Sequence, residues 1–162
     1  MIKRVLYALG ILFIIIQFIR PEKNQTAGPY QHDITTKFPM NETVSISFKT
    51  ACYDCHSNNS KYPWYYNIQP VSWWLQHHID EGKSELNFNE FALYSPEKQD
   101  HKLDEIAEAV TDGWMPLKTY RFVHKESVLN EDQKKAIISW VNESRSLLNK
   151  RPSDNHEKNE HQ

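Results

Sequence analysis

The chain has 162 residues, a formal net charge of −2 at pH 7, eight histidines and only two cysteines. This length suits one compact core, and the near-neutral charge argues against nucleic acid or an anionic membrane surface as a partner. No internal repeat is present.

The chain opens Met1-Ile2-Lys3-Arg4, followed by an apolar run from Val5 to Ile19 in which Gln17 is the only strongly polar residue. The run stops at Arg20-Pro21-Glu22-Lys23. It falls a little short of the ~20 residues that span a bilayer, but Ile2 and snorkelling basic residues extend it. The absence of a small-x-small cleavage site favours a retained transmembrane anchor over residues 1–20, the alternative being a signal peptide. Residues 21–42 carry Pro, Gly, Asn and Thr with little periodicity and read as a tether. Asn41 to Cys55 reads as a helix.

The last turn of that helix would carry Cys52-Tyr53-Asp54-Cys55-His56, a stretch that uses both cysteines of the chain. Cys-x-x-Cys-His is the attachment signature of a c-type haem. Two thiols three positions apart reach the two vinyl groups on one porphyrin edge, and the adjacent histidine meets the iron. Three other readings compete. Zinc needs four ligands, so it would recruit His56 and one of His77, His78, His101 or His124. A redox dithiol needs a βαβ setting, whereas Ser57 to Pro63 reads as a loop. A structural disulfide at this spacing is strained. The cofactor expected is therefore one covalent haem c. Because such haem is attached outside the cytoplasm, the expected location is the inner membrane, single-pass, with the C-terminal domain in the periplasm.

Between Ser57 and Tyr94 the chain is poor in aliphatic residues and rich in aromatic ones, among them Tyr62, Trp64, Tyr65, Tyr66, Trp73 and Trp74. Such residues bury large areas, and a porphyrin is itself a flat apolar body. Haem is therefore expected to complete the core, leaving the apo-protein poorly folded. Pro70 through Glu81 reads as a helix ended by Gly82, with Val71, Trp74, Leu75 and Ile79 on one face. Ser95 and Pro96 open a further helix with Leu103, Ile106, Ala107 and Val110 as its stripe and Gly113 as its end. Asn130 with Gln133 resembles a capping box, and Ile137, Trp140, Val141 and Leu148 form the stripe of the last helix. The fold expected is all-α, a small domain of about four helices with long loops spanning residues 43–148. Residues 149–162 read as a disordered polar tail.

The second axial ligand must come from a loop that covers the opposite haem face. Met115, in Gly113-Trp114-Met115-Pro116-Leu117, follows a helix end, and His/Met ligation is an established c-type arrangement. His77, His78 and His124 compete, while His101 reads as solvated. Lys61, Arg121, Tyr120 and the indole N–H of Trp73 or Trp74 are candidates for the haem propionates.

Several of these segments resemble a known family. Cys52 to Asn58, Tyr62-Pro63-Trp64-Tyr65, Ile68 to Trp74, Met115-Pro116-Leu117 and Trp140-Val141 resemble the haem-binding domain family, membrane-anchored monohaem c-type cytochrome-like proteins of Bacteroidota. The resemblance covers nearly all of residues 43–145. It implies thioether positions at Cys52 and Cys55, a proximal ligand at His56 and a distal one at Met115. The order of motifs is also similar to that of class I cytochromes c. The function expected is one-electron transfer, not enzymatic catalysis, with redox partner proteins that the sequence does not identify. The alternatives are a haem-based sensor or small peroxidase with a displaceable distal ligand, and a non-haem interaction module held by zinc or a disulfide.

Overall fold

The computed structural model describes residues 1–150, and their secondary structure is helical apart from one isolated antiparallel bridge between Gln25 and Asn59. The α-helices are α1 (Ile2–Ile16), α2 (Ile34–Lys37), α3 (Glu42–Ala51), α4 (Tyr53–His56), α5 (Val71–Glu85), α6 (Pro96–Asp112), α7 (Lys118–Val123) and α8 (Glu131–Lys150). Single 3₁₀ segments occur at Trp64–Asn67, Phe88–Leu93 and Lys125–Ser127. Eight α-helices stand among the described residues where an N-terminal helix and about four more were expected; α2, α4 and α7 are the additions, too short to leave a periodic stripe.

The N-terminal transmembrane anchor, and with it the single-pass inner-membrane location, is overturned. Among the described residues no helix is long and apolar enough to cross a membrane. The reason is the length of α1 and the contacts that follow it. α1 has 15 residues, about 22 Å at 1.5 Å per residue. The end of the apolar run leaves the helix and is tied down by hydrogen bonds. Gln17 Nε2 donates to the Gln69 carbonyl at 3.3 Å, and Gln17 Oε1 accepts the Gln69 N–H at 2.9 Å. The Ile19 carbonyl accepts from Gln69 Nε2 at 2.9 Å and from Trp73 Nε1 at 3.0 Å. The one strongly polar residue of the run is therefore a structural contact.

The described chain divides into two compact units, one made of Met1–Gly28 and Asp54–Asn87, the other of Pro29–Tyr53 and the described residues from Phe88 to Lys150. The second unit holds the larger apolar core. Ile34, Phe38, Val44, Phe48, Phe88, Phe91, Leu103, Ile137 and Val141 are each 2 % exposed or less. Each such side chain contributes about 1.5–3 kcal/mol by leaving water. α6 and α8 pack on each other, and α3 packs on α8. Phe48 meets Phe88 and Trp140, each at a ring-centroid distance of 5.2 Å.

Local signals set the helix ends here. The Ser95 side chain accepts from Lys98 N–H, and Gly113 closes α6 in the left-handed region at φ 70°. A residue with a Cβ is strained in that conformation, which is why a glycine ends the helix there. Asn130 and Gln133 exchange hydrogen bonds at 2.8 and 2.9 Å, the reciprocal box expected before α8. α8 continues to Lys150, and the remainder of the segment read as a tail lies outside the described residues. Within the segment read as a tether, Asp33 caps α2, while Ile34 and Phe38 are buried.

The first unit has a much thinner core. Its buried apolar residues are Tyr66, Leu75, Ile79 and Leu86. Trp64, Trp73 and Trp74 are exposed.

Candidate cofactor site

α3 does not run through the Cys-x-x-Cys-His motif as expected. It stops at Ala51, and Cys52 leaves helical geometry at φ −127°, its N–H still donating to the Phe48 carbonyl at 2.9 Å. Tyr53–His56 then form a separate turn. The division between the two units falls within the motif, after Tyr53.

In the second unit, Tyr53 is pinned by a buried carboxylate. Its hydroxyl donates to Asp33, 3.1 Å from Oδ2 and 3.2 Å from Oδ1. Asp33 also accepts from Thr35 N–H at 2.9 Å, Thr35 Oγ1 at 2.6 Å and Asn89 Nδ2 at 2.7 Å. The Tyr53 ring stacks on Phe88 at 5.1 Å.

In the first unit, Cys55 packs against the Tyr66, Leu75 and Ile79 cluster together with Tyr62 and Tyr65. Burial pushes its thiol up to about 11, and the neighbouring Asp54 carboxylate adds to the effect. Cys52 and Cys55 are not joined in a disulfide.

His56 Nδ1 lies 3.0 Å from the Leu86 carbonyl. A carbonyl only accepts, so Nδ1 carries the proton and donates. The neutral ring then has its basic lone pair on Nε2, the nitrogen that a metal takes when the other is held by an outer partner.

The chain after the motif is fastened by Asn24. Its amide donates to the Ser57 carbonyl at 2.7 Å and to Ser60 Oγ at 2.9 Å, and its oxygen accepts Lys83 Nζ at 2.9 Å. Ser60 Oγ in turn donates to the Asp54 carbonyl at 2.6 Å.

Gly82 does not end a helix. α5 continues to Glu85, and Gly82 lies inside it against the motif. A Cβ built there would stand 3.1 Å from the Cys55 carbonyl oxygen and 3.2 Å from Cys55 Cβ.

This donor set fits a haem. Among the described residues, no group of three or more His, Cys, Asp or Glu side chains could hold a metal ion by itself. A porphyrin supplies four nitrogens of its own and needs only an axial donor and two thiols from the chain. A family model described as "Haem-binding domain" matches residues 11–143. The chain belongs to the haem-binding domain family. That membership supports a haem cofactor and leaves membrane anchoring unsupported. No curated protein and no solved structure matches the chain.

The remaining residues of interest in this haem-binding domain divide by unit. In the second, Met115 is half-buried and Pro116 buried on the loop after α6. The loop is braced at both ends. Met115 N–H donates to the Ala109 carbonyl at 3.3 Å, and Arg121 Nη2 donates to the Gly113 carbonyl at 3.1 Å. Arg121, a propionate candidate, thus has a structural role in holding the methionine loop. Tyr120, another, stacks on His124 at 4.4 Å, and His124 Nδ1 lies 3.2 Å from Glu126. His101 is exposed and pairs with Glu105.

In the first unit, the Trp73 indole N–H is engaged by the Ile19 carbonyl. Trp74 meets His78 edge-on at 4.5 Å. Lys61 is exposed, and its backbone N–H donates to Asp54 at 3.3 Å. His77 and His78 both lie 3.3 Å from Glu81.

Sequence reasoning missed Asn24, Asp33, Leu86 and the packing role of Gly82. The first two lie in polar stretches that read as loop, and a backbone carbonyl has no sequence signature.

Proposed function

We propose that the chain carries one covalently attached haem and passes single electrons through it. Cys52 and Cys55 are the thioether positions, His56 the proximal ligand and Met115 the distal one. The observation that carries this reading is the 3.0 Å contact between His56 Nδ1 and the Leu86 carbonyl within a Cys-x-x-Cys-His motif. That bond fixes the ring's orientation and leaves Nε2 as the basic nitrogen.

The haem supplies a one-electron couple. The protein's part is to hold the ligand geometry so that little rearranges when the charge changes. Asp33 and Asn24 hold the chain on either side of Cys55 and His56. The braced Met115 loop offers a thioether sulfur, a ligand that raises the potential relative to histidine. The thin apolar core of the first unit and its exposed tryptophans further support a porphyrin as a packing partner. Four buried apolar side chains contribute on the order of 10 kcal/mol, against an ordering cost of about 1–2 kcal/mol per residue for the backbone alone.

The test is a pyridine haemochrome spectrum and an intact mass of protein made in a host competent in cytochrome c maturation. The expected result is one haem per chain, surviving acid–acetone extraction. The Cys52→Ser/Cys55→Ser variant should weigh only its polypeptide. Wild-type protein that is colourless and unmodified in mass overturns the proposal. Oxidised-minus-reduced spectra then test electron transfer: a six-coordinate low-spin iron slow to take carbon monoxide is expected, and a five-coordinate high-spin iron counts against it.

A further inference from the structure

Gly82 occupies the interior of α5, where its backbone is in the right-handed region open to any residue. A glycine there costs a helix about 1 kcal/mol relative to alanine, so neither φ nor propensity accounts for it. The surroundings do. A Cβ at this position would meet the Cys55 carbonyl oxygen at 3.1 Å, Cys55 Cβ at 3.2 Å and His56 Cε1 at 3.4 Å. Two of the three atoms belong to the main chain or its first side-chain carbon, and neither can swing aside. Four residues on, at the C-cap of α5, Leu86 donates its N–H to the Gly82 carbonyl at 3.0 Å and presents its own carbonyl to His56 Nδ1 at 3.0 Å. The end of α5 and its cap therefore touch the motif twice, once by close approach at Gly82 and once by a hydrogen bond at Leu86.

We propose that Gly82 is a positioning residue for His56: its missing side chain lets the motif lie close enough to α5 for the imidazole to reach the Leu86 carbonyl, and so tunes the iron's axial donor. The inference rests on the reading of His56 as the iron's ligand. An imidazole that donates from Nδ1 is a stronger electron donor through Nε2 and favours the ferric state. Pushing the motif away by a few tenths of an ångström stretches that bond and raises the reduction potential. Outer partners of a metal-bound histidine are worth about tenfold or more; a tenfold loss borne by the ferric state alone corresponds to about 59 mV in a one-electron couple.

The experiment compares haem-loaded wild type with Gly82→Ala by potentiometric titration and by the fraction of chains carrying haem. Ser84→Ala, two residues along the same helix, serves as control. A higher potential in Gly82→Ala alone, by roughly the amount above, supports the proposal. A loaded Gly82→Ala with the wild-type potential overturns it while leaving the haem reading intact. If Gly82→Ala does not load, far-UV circular dichroism of that chain is compared with unloaded Cys52→Ser/Cys55→Ser. Equal helix content means that Gly82→Ala loses no more structure than the absence of haem itself costs, so the defect lies at the motif, which supports the proposal. Lower helix content makes Gly82 a general folding residue and overturns it. A wild type that binds no haem removes both this inference and the reading beneath it.

Discussion

Tyr53, the residue after the first motif cysteine, donates its hydroxyl hydrogen bond to the carboxylate of Asp33, which is 9 % exposed. The same carboxylate caps α2 and accepts from Asn89. It therefore ties three separated stretches of the second unit together. Asp33→Ala removes a helix cap, worth about 1 kcal/mol. It also strands a part-buried hydroxyl and a buried amide, each costing about 1–3 kcal/mol. A loss of about 3 kcal/mol in urea unfolding is expected, with Asp33→Asn losing less.

The same contact sets a pH dependence. Burial, reinforced by the Asp33 charge, holds the Tyr53 phenol well above its ordinary value of 10.0. An unfolded chain releases that proton near pH 10 while the folded chain keeps it, so stability must fall as the pH rises above about 10. Tyr53→Phe should flatten this decline. Unfolding free energies of wild type and Tyr53→Phe between pH 8 and about 11 check it, and parallel curves would refute it.

At the acid end, Arg145 on α8 holds Asp100 on α6 through Nε at 2.8 Å and Nη2 at 3.2 Å, and it also reaches Asp104. The hydrogen bond from Arg145 lowers the Asp100 carboxyl, with its positive charge assisting. A depressed acid stabilises the fold above its unfolded value and loses that effect as the pH falls through its folded one. Both side chains are about one-third exposed, so the pair is worth at most about 1 kcal/mol at neutral pH. Arg145→Met should lower Tm slightly at pH 7. The gap to wild type should close below about pH 4 and shrink in high salt.

The haem cofactor, α6 and α8 were legible because their signals are local. Cysteine spacing, a serine cap, a closing glycine and a reciprocal Asn130/Gln133 pair each act within a few residues. The errors arose where a distant contact overrode a local rule. Gly82 obeys the rule that glycine ends helices until Cys55, 27 positions earlier in the chain, is seen beside it. The apolar run to Ile19 reads as a membrane span until Gln17 is seen to exchange hydrogen bonds with Gln69, 52 residues away. Asn24 and Asp33 sit in stretches whose polarity signals a tether, although their partners are fixed and several are distant in sequence.

Asn24 tests that last point. Its side chain makes three hydrogen bonds that hold the Ser57–Ser60 segment and Lys83. Asn24→Ala should lower the stability of the first unit by about 1–3 kcal/mol, the cost of leaving part-buried partners unmatched. Hydrogen exchange should quicken at Ser60 N–H, which donates to the Asn24 carbonyl at 2.9 Å, and at neighbouring amides, with α8 unaffected. Unchanged exchange in the segment after His56 would show that the contact does not fasten it.

Met115 is the residue on which the electron-carrier reading turns. Its loop is braced by the Arg121–Gly113 hydrogen bond and by its own N–H on Ala109, so a substitution at position 115 should alter the ligand and leave the helices in place. Met115→Ala should open the sixth coordination position, giving a high-spin spectrum and rapid carbon monoxide binding. Met115→His should restore a low-spin iron at a lower potential, because imidazole favours the ferric state more than a thioether does. The drop should be on the order of 0.1 V, within the roughly 0.8 V that axial ligands span. Arg121→Ala, which leaves the sulfur but loosens its loop, should give an intermediate result: low-spin at rest, with faster carbon monoxide entry. Were Met115→Ala to retain the wild-type spectrum and potential, the distal ligand would have to be sought elsewhere, while Cys52, Cys55 and His56 would keep their roles.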